Sequence, residues 1–237
     1  MEAEPVTDQS SSGQPSSGHP RVAVRGESHL EVDPEVARIT LTVTARGTDR
    51  RDAIANLTLR NNTALELVRS YGDAVAHVET GSLSVTPELS QRGRGERIRA
   101  YGGRVTLSAE ITDFTVLGEL TTRLADLDHT RVSGPYWSLR TNSPAHRRAR
   151  QEAVRQAVVR AREYAEALGT TLTGVVDIAD IGADAAPVGR GMPRPGGFAG
   201  PAAPGAAPEP PALELEPRRQ HVRAQVNARF TMAPPTL

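Results

Sequence analysis

The feature that most constrains this chain lies near its C-terminus. Residues 183–217 hold nine prolines, six glycines and nine alanines, a composition that cannot supply a packed core and reads as a disordered excursion. Directly after it, Val222, Ala224, Val226, Ala228, Phe230 and Met232 alternate with Arg223, Gln225, Asn227, Arg229 and Thr231. Strict alternation is the mark of a strand with one buried face. A lone strand of this kind has nothing to bury that face against, so it must return to a sheet formed earlier in the chain. The expected organisation is therefore one domain over 20–233, interrupted by 183–217. A Ser/Gly/Pro-rich tail covers 1–19 and a short tail covers 234–237.

The rest of the pattern supplies that sheet. A strand is expected from Arg21 to Val32, and Asp33-Pro34 breaks it. Ile39, Leu41, Val43 and Ala45 alternate with threonines over 36–46. Thr48 is placed to cap a helix running to Tyr71, with Gly72 as its stop and Ile54, Leu57, Ala64, Leu65, Val68 and Tyr71 on its apolar face. Strands follow over 77–88 and 97–111, joined by a polar loop at 91–96. Asp113 caps a shorter helix through Leu127, and 131–140 is extended. Ser143-Pro144 opens a long helix to Leu168, with an acceptor at the cap and proline where no donor is needed. Leu172 to Ile181 is the next strand. The class is α+β in the order β-β-α-β-β-α-β-α-β-β, a largely antiparallel sheet covered by two long helices and one shorter helix. The runs 36–111 and 131–232 each read β-α-β-β, which suggests a duplication.

Composition removes several functions. The 237 residues include no cysteine, so disulfides, thiol nucleophiles and thiolate metal sites are excluded together. The 28 basic residues, all arginine, balance 28 acidic ones, so no global charge draws the chain to nucleic acid or an anionic membrane. Aromatic residues make up 3% of the chain, few for a base-stacking surface. No apolar run approaches the length of a membrane span. The first 19 residues lack the apolar stretch of a secretory leader, and the expected location is the cytoplasm. No nucleophile elbow, zinc-binding helix, phosphate loop or dinucleotide glycine fingerprint occurs. The six histidines are scattered. No catalytic, cofactor-binding or metal-ligating residue is assigned, and no cofactor is expected.

Two features carry candidate contacts. Arg147, Arg148 and Arg150 crowd the first turns of the 144–168 helix, where cations sit against the helix dipole. They are candidates for contact with an anion or an acidic partner, although a solvated outer face accounts for them with fewer assumptions. On the 48–71 helix, Asn61 takes an a-like position in a short 3-4 apolar spacing, where a buried amide can fix register between copies. Ala149, Ala153, Ala157, Ala161 and Ala165 recur every four residues, a small-residue ridge that permits close approach of another element.

The runs Val24-Arg25-Gly26-Glu27 and Val32-Asp33-Pro34-Glu35-Val36-Ala37-Arg38-Ile39 resemble the entry motifs of the SIMPL domain family. So do Glu79 to Leu89 with Pro87, Tyr101 leading into Val105 to Asp113, Trp137 to Leu139, the alanine ridge, Leu168-Gly169, Gly174 and the final strand. The similarity covers residues 20–233 apart from the excursion. It implies an α+β fold with no established enzymatic activity. Relatives in that family include exported bacterial proteins linked to envelope or oxidative stress and to ring-like self-assembly, and a mammalian relative associates with a signalling kinase. The expected function is thus non-catalytic interaction or assembly, with the chain itself as a partner alongside an unknown protein. The competing readings are a small-molecule or nucleotide-handling enzyme with a site of scattered residues, and a weak nucleic-acid binder using the 144–168 helix.

Overall fold

The computed structural model describes residues 19–89, 98–180 and 212–235. Its elements run β1 (Arg21–Val32), β2 (Val36–Gly47), α1 (Arg50–Arg69), β3 (Val75–Leu89), β4 (Ile98–Ile111), α2 (Leu117–Ala125), β5 (Thr130–Ser138), α3 (Pro144–Ala167), β6 (Leu172–Asp180) and β7 (Gln220–Met232). The order expected from periodicity holds throughout, and the class is α+β. The 1–18 tail, the 91–96 loop and the excursion as far as 211 lie outside the described residues.

The strands divide between two antiparallel sheets instead of one: β3-β4-β2-β5 and β1-β7-β6. The chain likewise groups into two compact units, one built on 30–145 and 190–222, the other on 1–29, 146–189 and 223–237. The boundaries fall within β1, α3 and β7, and the span expected as one interrupted domain contains both units.

In the four-stranded unit, Ile39, Leu41 and Val43 of β2 face Leu107 and Ile111 of β4, all buried beneath α1 and α2. Helix α1 begins one residue later than expected. Asp49 is its cap, accepting the Asp52 N–H at 2.9 Å, while the Asp52 carboxylate reaches back to the Thr48 N–H at 3.0 Å. Thr48 is therefore a donor to the box, not the cap. The buried face of α1 is Ala53, Leu57, Ala64 and Val68. Ile54, expected inside, is 46% exposed. Gly47 brings the β2 backbone against Ala53, which takes the buried place in the first turn, while Leu57, Ala64 and Val68 are buried as expected. Asp113 caps the entry to α2 as expected, accepting the Thr115 N–H at 3.0 Å. The last residues of the excursion are in place here: the Leu213 N–H donates to Thr122 Oγ1 at 3.3 Å, and Leu215 packs on the core.

Glu35 secures the approach to α3. Ser143 Oγ accepts the Ala145 N–H at 3.2 Å and donates to Glu35 Oε1 at 2.8 Å. The Arg140 N–H and Nε donate to Glu35 Oε2 at 3.1 and 3.3 Å. Burial alone raises the affinity of Glu35 for its proton, but these hydrogen bonds, that of Ser143 foremost, outweigh it and hold the carboxyl below its ordinary value.

The three-stranded unit is built on the alanine ridge. Ala149, Ala153, Ala157, Ala161 and Ala165 are wholly buried, and Val24, Val226, Ala228 and Phe230 pack beneath the middle three. At Gly26 the β1 backbone lies against α3 so closely that a Cβ there would collide with the Ala153 carbonyl and stand 2.7 Å from the Ala157 nitrogen. Ser28 Oγ donates to the Ala149 carbonyl at 2.8 Å in the same seam. Gly169, at φ 65°, ends α3 in a Schellman motif, with the Thr170 N–H bonded to Ala165 and the Gly169 N–H to Glu166, each at 2.9 Å.

The repeated β-α-β-β pattern is present with a different leading strand. The order β3-β4-β2 around α1 is matched by β6-β7-β1 around α3, so β1 stands where the sequence pattern put β5. Strand β5 pairs with β2 instead, from Val36↔Ser138 to Val43↔Thr130.

Three substitutions test this packing. Gly26→Val overpacks the seam and lowers stability by about 3 kcal/mol, read from urea unfolding midpoints. The lowered proton affinity of Glu35 stabilises the fold above the ordinary glutamate range, roughly pH 4.3, and is lost as pH falls through the folded-state value. Glu35→Gln therefore destabilises at pH 7 and flattens the acid limb of the stability profile. Ser143→Ala costs about 1–2 kcal/mol at neutral pH.

Candidate functional site

Three surfaces offer chemistry, each within one unit. The first is the uncovered face of the four-stranded sheet. Residues of β2 that alternate with its buried row, Thr40, Thr42, Thr44 and Arg46, point away from α1, as do Arg104, Thr106 and Ser108 of β4. Near one end this face sinks into an open basin of about 470 Å³. Two cross-strand rows form it. Thr86, Gly102 and Arg46 are register partners across β3, β4 and β2, and Ser84, Arg104 and Thr44 make the next row on the same face. Same-face rows lie about 7 Å apart and neighbouring strands about 4.8 Å. His129 lines the rim at φ 59°, its carbonyl accepting the Thr44 N–H at 2.9 Å and the Thr44 hydroxyl at 3.2 Å.

Gly102 makes the basin deep. Without a side chain there, Glu88 of β3 reaches across β4, and its Oε2 pairs with Arg46 Nη2 at 2.8 Å. A Cβ on Gly102 would stand 3.1 Å from Glu88 Oε1. Arg104 is exposed and forms no ion pair among the described residues. Sequence reasoning missed this site because its residues come from three strands and a loop. A glycine in a Thr/Ser-rich strand was the available signal.

The second surface is the free edge of β6. Val175 and Ile178 sit opposite Phe230 and Ala228 of β7. Those β7 residues are buried beneath α3, yet Val175 is 60% exposed and Ile178 46%. The alanine ridge holds α3 over β1 and β7, and β6 extends beyond its cover. The long edge strand β3 carries Leu83, also largely exposed.

The third is the start of α3. Arg147, Arg148 and Arg150 are exposed and form no ion pair among the described residues. None of them lines the basin or lies on the β6 edge. The Oδ1 of Asn61 is shielded by the chain's own atoms and has no hydrogen-bond partner among the described residues. Beside α2, the Tyr71 hydroxyl donates to Glu119 at 2.8 Å beneath Arg123, and burial followed by that bond pushes the phenol up. Among the described residues, no cluster of three or more His, Asp or Glu could hold a metal ion. No helix among them is long and apolar enough to cross a membrane.

Comparison with known proteins places the chain. Two curated relatives, the 26 kDa periplasmic immunogenic proteins of Brucella melitensis biotype 1 and Brucella abortus strain S19, are each 23% identical over 168 residues. The match covers 68% of this chain and 66% of each relative, just under two thirds of their length. Their periplasmic designation overturns the cytoplasmic location expected from the first 19 residues. That expectation rested on failing to find a leader, and the relatives point instead to export. A crystal structure described as a candidate amidohydrolase/peptidase from Burkholderia cenocepacia is 18% identical, with a TM-score of 0.25 over 49% of this chain and 29% of the other. Overlap that slight carries no argument. The profile of SIMPL, a protein family of unknown function also designated DUF541, matches residues 22–230, from β1 to β7. The chain belongs to the SIMPL family.

Proposed function

We propose that this protein is exported and works by association with further copies of itself, not by catalysis. The observation that carries this reading is the β6 edge. Its outer backbone groups have no strand partner among the described residues, and Val175 and Ile178 leave apolar surface open beside a sheet that α3 covers only in part. An edge of this kind is a template for another strand, and proteins that remain monomeric blunt such edges with charge or proline. In β6 the charges are Asp177 and Asp180, and Asp177 is paired with Arg229 at 3.2 Å, so the repulsion that would keep copies apart is reduced. Export is supported by the periplasmic designation of the two relatives.

The buried side-chain oxygen of Asn61 makes that residue a poor candidate for the contact between copies, so the edge and not α1 is assigned to it. Light scattering coupled to size exclusion should report a mass above that of one 25.3 kDa chain at micromolar protein. The double variant Val175→Lys, Ile178→Lys should shift the mass to a single chain with a retained thermal transition, while Asn61→Leu should leave the mass unchanged. A single-chain mass for the unaltered protein over a wide concentration range would refute the assembly reading. Fractionation of the native host should recover the protein outside the cytosol.

A further inference from the structure

The basin on the open face of the four-stranded sheet has the construction of an anion site. We propose that it binds a small dissolved oxyanion carrying two negative charges, phosphate or a phosphate monoester, and that Glu88 occupies the anion position in its absence. Three observations carry this. Gly102 leaves a gap between Thr86 and Arg46 where every other pairing on that row brings a side chain. The Glu88 carboxylate already lies over the gap, 2.8 Å from the Arg46 guanidinium, which marks the place as one where an oxyanion is stabilised. One row along the strand stands Arg104, exposed and without an ion pair among the described residues, with Ser84 and Thr44 as its register partners.

Charge and shape select the ligand. Among its described lining residues two guanidiniums face one carboxylate, an excess positive charge that Glu88 does not neutralise. A monocarboxylate entering the basin would only repeat what Glu88 does and would gain little by displacing it. A tetrahedral dianion can reach Arg46 and Arg104 together, since arginine presents a fork of donors suited to phosphate. The hydroxyls of Ser84 and Thr86 offer further donors, and His129 lines the rim. Among the described residues no Phe, Tyr or Trp lines the basin, so broad stacking on a nucleobase or a sugar face is not what it is built for, and the small residues on its floor offer no apolar pocket. The Arg46–Glu88 pair is about half exposed, with side-chain accessibilities of 54% and 44%, so opening it requires no burial of an unpaired charge.

Isothermal titration calorimetry of the full chain decides the matter, with inorganic phosphate, glycerol 3-phosphate and acetate compared at constant ionic strength. Saturable binding of phosphate or its monoester, with acetate at least about tenfold weaker, is the expected result. Arg104→Gln should weaken phosphate binding about tenfold, the loss of one charge-assisted contact, with an unchanged thermal midpoint because the side chain is exposed. Glu88→Gln should tighten it, because the internal competitor loses its charge. Gly102→Val should remove it by filling the gap. Absence of saturable binding, equal affinity for acetate, or indifference to Arg104→Gln would overturn the proposal. So would binding to vesicles containing phosphatidic acid without binding to free phosphate, since the ligand would then be a membrane surface.

Discussion

Strand β7 holds the three-stranded sheet together. It lies between β1 and β6, and among the described residues neither of those strands has another partner. The Met232 N–H bonds to the Pro20 carbonyl at one end of the β1–β7 pair, and Leu172 faces Met232 at the start of the β6–β7 pair. Val226, Ala228 and Phe230 also supply much of the apolar floor on which α3 lies. Remove β7 and two strands lose their hydrogen-bonded neighbour while the alanine ridge loses its base. The excursion before β7 is thus a connection between elements that require each other, and the alternation of β7 in the sequence is the direct trace of that requirement.

The two β-α-β-β arrangements reach the same topology through different packing. Over β2 and β4, α1 uses Leu57 and Val68 to fill the space above branched strand residues. Over β1 and β7, α3 buries a ridge of alanines flanked by Val154 and Val158, with backbone contact at Gly26. Away from Gly47, where the β2 backbone meets Ala53, the packing of α1 leaves room for small adjustments of its large side chains. A small-residue seam does not, because each atom added at Gly26 meets backbone.

Much of this fold was legible because local chemistry and final structure agree. Alternation placed β2, β4 and β7, and cap chemistry placed Ser143, Asp113 and Gly169 where the helices begin and end. The cap of α1 was missed by one residue because Thr48 and Asp49 both suit the position, and the choice depends on how Asp52 reaches back. The division into two sheets was not legible, since β5 and β1 carry similar patterns and only tertiary pairing decides which joins β2. The surfaces were less legible still. Gly102 looks like a spacer until register sets it between Thr86 and Arg46, and Val175 and Ile178 look like core until α3 proves too narrow to cover them. Arg147, Arg148 and Arg150 were conspicuous in sequence because they are adjacent, yet the residues that converge in space are separated by tens of positions.

The nesting of the chain has a consequence for how it is made. A ribosome delivers β1 well before β7, its only sheet neighbour among the described residues, with the whole 30–145 segment emerging in between. Pairings this distant in sequence close slowly. The intervening segment contains all four strands of its own sheet, so every partner its pairings need is present before β7 exists. Through that interval β1 waits with its apolar row, Val22 and Val24, unmatched. The nascent chain therefore passes through a stage in which one sheet has all its strands and the other is represented by a bare strand, and β7 decides whether β1 is ever used.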